Sequence, residues 1–363
     1  MEKKKQSQTV SFLKRLVRQN GFALAVIVII LGFVIYFFIS KMFLASGNLK
    51  GGIFVPMVVP GVMIVAAVPL LIGGSIDLST AQQAAFASVV FAKLLIGFPN
   101  IPWPIMVVVT LLCGVIFGLI NIFLTNVLNF MPFIATIGMS SVYLGVASAW
   151  TVMNNVGINN DGFSSLASIA YFDKTVPLLF IFMVVLILVY AYILSNTRFG
   201  RSVYMIGGNQ TAARLAGLNP KKIRAALFIN SGVISALAGL VWAAQMKMGH
   251  PKNIVDNQTY FTSLTAVILG GAAFHGGSGG VAAGAIALLM VTVFDNGLTM
   301  LAQVTAVNGQ PLYGAHVNTV LKGLILIAAL MLDYVKSSRA QRALISAAMK
   351  GQQKKGAAAT VES

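Results

Sequence analysis

Acidic residues are the scarcest chemistry in this chain: 8 Asp and Glu stand against 25 Lys and Arg, and charged residues of both signs make up only 9% of 363 positions. Soluble globular domains are rarely so poor in charge. A single cysteine, Cys113, excludes an intrachain disulfide. Three histidines (His250, His275, His316) lie far apart and the few carboxylates do not cluster, so no metal-ligand set can be read. The sequence has no G-x-x-x-x-G-K-[ST] with which to cradle a nucleoside triphosphate. No G-x-S-x-G elbow stands at a strand-to-helix turn either. These absences exclude the common hydrolase, metalloenzyme and NTPase sites, and the expectation is a chain that is not an enzyme and binds no cofactor of its own.

What is present in excess is apolar sequence, 58% of the chain. It comes in ten blocks near 21–40, 53–73, 82–97, 105–126, 132–152, 176–195, 223–245, 262–274, 279–300 and 316–335. Runs of about 20 apolar residues are the length that crosses a bilayer as helix. The short alternating segments of a membrane barrel are missing. The expected fold is therefore all-α, a polytopic membrane protein of about ten transmembrane helices. The basic start followed by the first block resembles a signal sequence, but the block is too long for that and reads as an uncleaved first span.

A net charge of +17 suggests nucleic acid until its placement is examined. Six Lys and Arg fall in Met1–Asn20, six in Asn196–Arg224 and six in Lys336–Lys355. Each block flanks an apolar segment, which is the positive-inside pattern of a membrane protein and not a basic groove. If all three blocks are cytosolic, an even number of crossings separates each neighbouring pair. Six apolar blocks precede the central island and four follow it, so ten crossings with both termini cytosolic satisfy the rule. The chain then divides into a basic N-terminal segment (1–20), a transmembrane domain (21–335) with a cytosolic loop at 196–224, and a basic tail (336–363). Blocks 82–97 and 262–274 are short for a full crossing and leave a re-entrant or broken helix open for either. Three sizeable loops fall outside, Lys41–Gly52, Asn154–Thr175 and Met246–Phe261; the last two carry Asp161, Asp173 and Asp256 and suit a soluble partner as well as ordinary solvated connections.

The island itself predicts a small helix with its own start and stop. Asn209 caps it, Thr211 to Ala216 form about two turns, and Gly217 closes it; Asn219-Pro220 then opens the next helix with proline in its first turn. A sharply bounded helix on a cytosolic loop is a part that a second protein can grip. Elsewhere, Gly114 and Gly118, then Gly276, Gly280 and Gly284, with Ser235 and Gly239, repeat at the four-residue spacing that brings membrane helices into close contact. Leu71-Ile-Gly-Gly74 and Ile268-Leu-Gly-Gly271 echo each other between the two halves, as internal repeats of transporters do.

Ionisable residues near the apolar blocks are few. Asp77 lies before a helix whose dipole favours a carboxylate, either as a turn-stabilising group or as a gating one. Asp295 falls toward the end of the ninth block, in a pore-lining or interhelical place or at the exposed interface. Lys93 and Lys322 are positioned to snorkel. Ion-driven carriers need midplane carboxylates, and none stands out, so the chain has a pathway without an engine and an energy-supplying partner is implied.

Five motifs then occur in a recognisable order: Gly73-Gly-Ser-Ile-Asp-Leu-Ser79; Thr197-Arg-Phe-Gly-Arg201; Ile206-Gly-Gly-Asn209 with Ala212-Ala-Arg-Leu-Ala-Gly217; Ile268-Leu-Gly-Gly271 with Gly276-Gly-Ser-Gly-Gly280; and Asp295-Asn-Gly-Leu298 ahead of the Lys322-to-Asp333 span. Over about 50–335 the chain resembles the ribose/galactose/xylose class of bacterial ATP-binding-cassette sugar permeases. The resemblance implies a homodimeric inner-membrane importer subunit without nucleotide-binding motif, working with a cytosolic ATPase that carries ATP-Mg and with an extracytoplasmic sugar-binding protein. It makes Asn209, Ala212, Ala213, Arg214, Leu215, Ala216 and Gly217 the ATPase-coupling helix. Gly74, Asp77, Ser79, Gly271, Gly277, Gly280, Asp295 and Asn296 become motif or gating candidates. Asn121, Asn126, Trp150, Asn230 and Trp242 are candidates for the translocation path, with helix packing or interhelical hydrogen bonding as the alternative for each. Ser75 and the hydroxyl-rich Phe261-Thr-Ser-Leu-Thr265 depart from the family's usual pattern. Partners expected are a second copy, the ATPase, the binding protein and membrane lipid, with no nucleic acid. A permease for branched-chain amino acids or nucleosides, an ion-coupled carrier, and least of all a membrane-embedded enzyme stand as alternatives.

Overall fold

The computed structural model describes residues 21–256 and 259–304, with single positions between 320 and 331. The tenth apolar block, Lys322, Asp333, His316 and both terminal basic segments lie outside the described residues apart from those single positions. The order of elements is α1 (Gly21–Val34), α2 (Val55–Ile72), α3 (Thr80–Gly97), α4 (Trp103–Ile122), α5 (Pro132–Thr151), β1 (Val156–Gly157), α6 (Asp161–Ser168), β2 (Ala170–Tyr171), β3 (Val176–Pro177), α7 (Leu178–Asn196), α8 (Arg198–Gly208), α9 (Gln210–Leu215), α10 (Pro220–Met246), β4 (Met248–Gly249), α11 (Thr259–Leu269) and α12 (Val281–Val304). Among the described residues the fold is all-α apart from two short two-stranded ribbons.

Seven of the ten apolar blocks form helical stretches long and apolar enough to cross a membrane. The first and eighth blocks form shorter apolar helices, Leu24–Ile39 and Thr259–Leu269. The third, short in sequence, begins earlier than its apolar run suggests, at Thr80, and reaches 18 residues. The eighth does not lengthen in this way. It ends at Leu269, and at 1.5 Å per residue its 11 residues rise only about 16 Å. It nevertheless descends alongside α2: Ser263 Oγ donates to the Pro60 carbonyl at 3.0 Å, and beyond the helix the Gly277 amide donates to the Ile72 carbonyl at 2.8 Å.

α2 is apolar all round and is buried from Met57 to Ile72. It packs against α7, α10, α11 and α12 and forms the centre of the molecule. Two prolines interrupt its hydrogen-bond ladder, which an apolar interior tolerates only if another group serves the freed carbonyls. Pro69 cannot donate to Val65, and Asn230 of α10 does so instead, through a long 3.5 Å bond from Nδ2.

Small residues set the closest crossings. A Cβ at Gly114 or Gly118 of α4 would come within 2.6 Å of Gly232 O or Ile229 Cα on α10, and one at Gly239 would collide with the Ala84 carbonyl of α3. Of the second glycine run, only Gly284 is helical. Gly276 has φ of +89° in a turn and Gly280 precedes α12, so spacing alone misassigned these two to a helix face. α4, α5 and α7 turn Leu112, Ile116, Val142, Val146, Leu188 and Tyr192 outward, a surface only hydrocarbon or another apolar protein face can cover.

Two of the three loops expected outside, Asn154–Thr175 and Met246–Phe261, are joined. β1 pairs antiparallel with β4, Val156 opposite Gly249. Phe163 of α6 lies between Phe91 and Trp103, with ring centroids at 4.3 and 5.7 Å.

Candidate functional site

The cytosolic-type island folds as its sequence predicts. Asn209 Oδ1 accepts from the Ala212 amide at 2.9 Å, and α9 runs from Gln210 to Leu215, one residue earlier than expected. At its end the Gly217 amide donates to Arg214 O and the Leu218 amide to Ala213 O, both at 3.0 Å, with Gly217 at φ of +82°. This paired closure around a left-handed glycine is a Schellman motif. Asn219 Oδ1 then accepts from the Lys222 amide and Pro220 occupies the first turn of α10. On α9 only Ala213 is buried; Ala212, Arg214 and Ala216 are exposed, and Leu215 is 87% exposed. Leu215 is thus an isolated apolar side chain held far out on a short capped helix.

The Gly-Gly echo of the two halves is a repeated structure. At the end of α2, Gly74 N donates to Leu71 O and Ser75 N to Leu70 O, both at 2.9 Å. At the end of α11, Gly271 N donates to Ile268 O at 2.9 Å and Ala272 N to Val267 O at 3.2 Å. Gly74 and Gly271 have φ of +73° and +88°. Both helices thus stop by the same Schellman closure.

From the first of these turns the chain enters a buried polar core. Asp77 is 1% exposed. Its Oδ1 accepts from the Ser79 amide at 2.9 Å, an Asx turn, and from Ser79 Oγ at 2.5 Å. Its Oδ2 accepts from Ser231 Oγ of α10 at 2.9 Å, Asn121 Nδ2 of α4 at 3.2 Å and Gln83 Nε2 of α3 at 3.3 Å. All these donors are neutral, and three helices meet through one carboxylate. Ser79 Oγ in turn accepts from Gln83 and Asn121, at 2.7 and 3.3 Å. The turn-stabilising reading of Asp77 is thereby present in the geometry, together with an interhelical role the sequence did not predict. Gln83 Oε1 and Asn121 Oδ1 are buried acceptors left without a partner.

The remaining candidates are dispersed. Asn126, just past the end of α4, and Lys221 of α10 exchange bonds, Asn126 Nδ2 to Lys221 O at 2.9 Å and Lys221 Nζ to Asn126 O at 3.2 Å. Asn230 accepts from Tyr190 OH of α7 while donating to Val65. Trp242 is buried in the core, whereas Trp150 is exposed and meets Phe86 edge-on at 6.5 Å. Gly277 holds φ of +76°, Gly280 O accepts from the Gly284 amide, Asp295 is half-buried on α12, and Asn296 pairs with Asn48. The structure therefore gathers Asp77, Ser79, Asn121 and Ser231 into one cluster and brings Gly74 against Gly276, the neighbour of Gly277, in another. Sequence reasoning missed Gln83, Asn48 and Tyr204. Gln83 had a legible signal, four residues after Ser79 on one helix face; Asn48 and Tyr204 had none.

Apolar helices wrapped around a polar core, with a capped helix standing on a basic loop, define a polytopic membrane transport subunit. The chain belongs to the family described as branched-chain amino acid transport system / permease component, which it matches over residues 53–330. It is a multi-pass permease of the bacterial inner membrane, in the ATP-binding-cassette importer class. It is 31% identical to the galactose/methyl galactoside import permease protein MglC of Escherichia coli (strain K12), over 74% of this chain and 81% of that protein. It is 30% identical to the D-allose transport system permease protein AlsC of the same strain, over 73% of this chain and 76% of that protein. The L-arabinose transport system permease protein AraH of that strain is 29% identical, over 80% and 83%. No solved structure matches the chain.

Proposed function

We propose that two copies of this chain form the membrane path of a monosaccharide importer, fed by an extracytoplasmic sugar-binding protein and driven by a cytosolic ATPase that binds ATP-Mg. The observation that carries this reading is α9: capped at Asn209, closed at Gly217, anchored by Ala213 alone and presenting Arg214 and Leu215 outward. In this reading ten spans place both termini in the cytosol, and the exposed apolar faces of α4, α5 and α7 meet lipid or the second copy. The permease itself hydrolyses nothing and holds no cofactor. Three relatives named for galactose, allose and arabinose support a sugar as the solute. The two external loops, tied by β1 and β4, offer a fixed platform to the binding protein.

The test is co-expression with a candidate ATPase and sugar-binding protein from the same genome, purification of the complex, and uptake of labelled sugars into vesicles. ATP-dependent uptake is expected, and Arg214→Glu should lower ATPase co-purification about tenfold, the weight of reversing one rim charge. Uptake driven by an ion gradient without the ATPase would overturn the reading. The family description also names branched-chain amino acids, and the same assay with labelled leucine separates that solute class.

A further inference from the structure

The island's first helix, α8, does more than lead into α9. Thr197 caps it, accepting from the Gly200 amide at 3.1 Å, and Val203 and Ile206 bury one face. Its last turn lies against backbone from both halves of the molecule. A Cβ on Gly207 would collide with the Ile72 carbonyl, where α2 ends, and would stand 2.6 Å from the Gly277 amide in the turn after α11. A Cβ on Gly277 would stand 2.8 Å from Gly208 Cα, and one on Gly276 would stand 2.9 Å from both Gly207 O and Gly74 Cα. The two turns are themselves joined by the bond from Gly277 N to Ile72 O. One turn of helix earlier, Tyr204 OH donates to Gly279 O at 2.8 Å.

These contacts form a seam with almost no side chains in it. Flexible side chains absorb small displacements by changing rotamer, whereas backbone in contact with backbone has no such slack. The seam also sits between the two parts whose roles differ. On one side Gly208 leads through the cap residue Asn209 directly into α9. On the other, only Ser75 and Ile76 separate Gly74 from Asp77, which holds α3, α4 and α10 together.

We propose that Tyr204 and Gly207 are positioning residues for transport: through the seam they pass a displacement of α9 to the glycine turns of both halves at once. This rests on the function proposed above, with α9 as the part the ATPase moves. Tyr204 fixes the rotation of α8 against Gly279, and Gly207 admits the backbone contact that makes the transfer stiff. A shift of α8 then moves the ends of α2 and α11 together, and the first of these carries the Asp77 core with it.

The experiment uses the assembled complex of permease, ATPase and binding protein in sealed vesicles. Uptake of labelled galactose, allose and arabinose and release of phosphate are counted in the same sample. Tyr204→Phe keeps the ring and removes the hydroxyl with its bond to Gly279 O. It should assemble and hydrolyse ATP as the wild type does, while sugar moved per ATP falls about three- to fivefold, the weight of one buried bond. Gly207→Ala should lower that ratio further, and Met205→Ala, exposed on the same helix, should leave it unchanged.

An unchanged ratio in Tyr204→Phe and Gly207→Ala overturns the inference. So does a loss of uptake that only tracks the amount of complex recovered, since that is a folding effect. A fall in Met205→Ala equal to that in Tyr204→Phe also overturns it. If the wild-type complex itself shows no ATP-dependent uptake of any of the three sugars, the proposed function fails and this inference with it, a result visible in the wild-type sample alone.

Discussion

Asn48 and Asn296 hold each other by two reciprocal amide bonds, Asn48 Nδ2 to Asn296 Oδ1 at 3.1 Å and Asn296 Nδ2 to Asn48 Oδ1 at 3.0 Å. Gly52 makes room for the pair, since a Cβ there would stand 2.8 Å from Asn48 Oδ1. The bonds tie the segment ahead of α2 to the second half of α12. A double-mutant cycle of Asn48→Ala and Asn296→Ala should give a coupling of about 1–2 kcal/mol, read from thermal midpoints of the purified protein. Additive losses would mean that the two amides are not stabilised by one another.

Asp77 sets a sharper test because every group that faces its carboxylate in this cluster is a donor. Asp77→Asn keeps the shape but turns an NH2 toward donors: at the Oδ1 position it loses the bond from the Ser79 amide, and at the Oδ2 position it faces the side-chain amides of Gln83 and Asn121. We expect a destabilisation of about 2–4 kcal/mol, larger than for a typical near-isosteric change. Thermal unfolding in detergent measures it. An Asn variant as stable as the wild type would show that the carboxylate does not organise α3, α4 and α10.

Pro69 and Asn230 should be energetically linked, because Asn230 serves the Val65 carbonyl that Pro69 cannot. Asn230→Leu alone should cost about 1–3 kcal/mol, as expected for a buried group left unpaired. In a Pro69→Ala background the helix can serve Val65 itself, so the same change should cost less. Tyr190 loses its acceptor in both backgrounds and cancels from the comparison. Equal costs in the two backgrounds would remove Asn230 from the repair of α2.

Gly217 occupies left-handed backbone at φ of +82°, with no neighbouring atom within 4 Å of a built Cβ. Substitution there is therefore a question of backbone strain alone. Gly217→Val should cost about 1–3 kcal/mol locally and loosen the end of α9, since a β-branched residue resists positive φ. Hydrogen exchange at the Gly217 and Leu218 amides reads it directly, and exchange should rise while the rest of the molecule is unaffected. Unchanged protection would refute the strained-closure account.

The island was the most legible part of the chain because its signals are local. Asn209, Gly217, Asn219 and Pro220 act within four residues of themselves, so caps and stops written in sequence survive in the fold with a shift of one residue at the start of α9. The Gly-Gly echo was legible for the same reason: a Schellman closure is defined by neighbouring residues. The path candidates were not. Asn121, Asn230 and Trp242 are polar or aromatic residues on apolar helices, and periodicity gives no partner for them; Asn121 met Asp77, 44 positions away, and Asn230 met the Val65 carbonyl, 165 positions away, which Pro69 leaves free.

By itself the sequence determined that the chain is a polytopic helical membrane protein, through apolar length and the placement of basic residues, both of which are properties of single segments against a bilayer. It also determined the capped helix α9. Only the tertiary structure decided that Asp77 is the meeting point of three helices, that Gly276 belongs to a turn and not to a helix face, and that α8 is wedged between the glycine turns of both halves. Those facts depend on which backbones come within a few ångströms of one another. A glycine states that close approach is permitted, but its partner is chosen only when the helices pack.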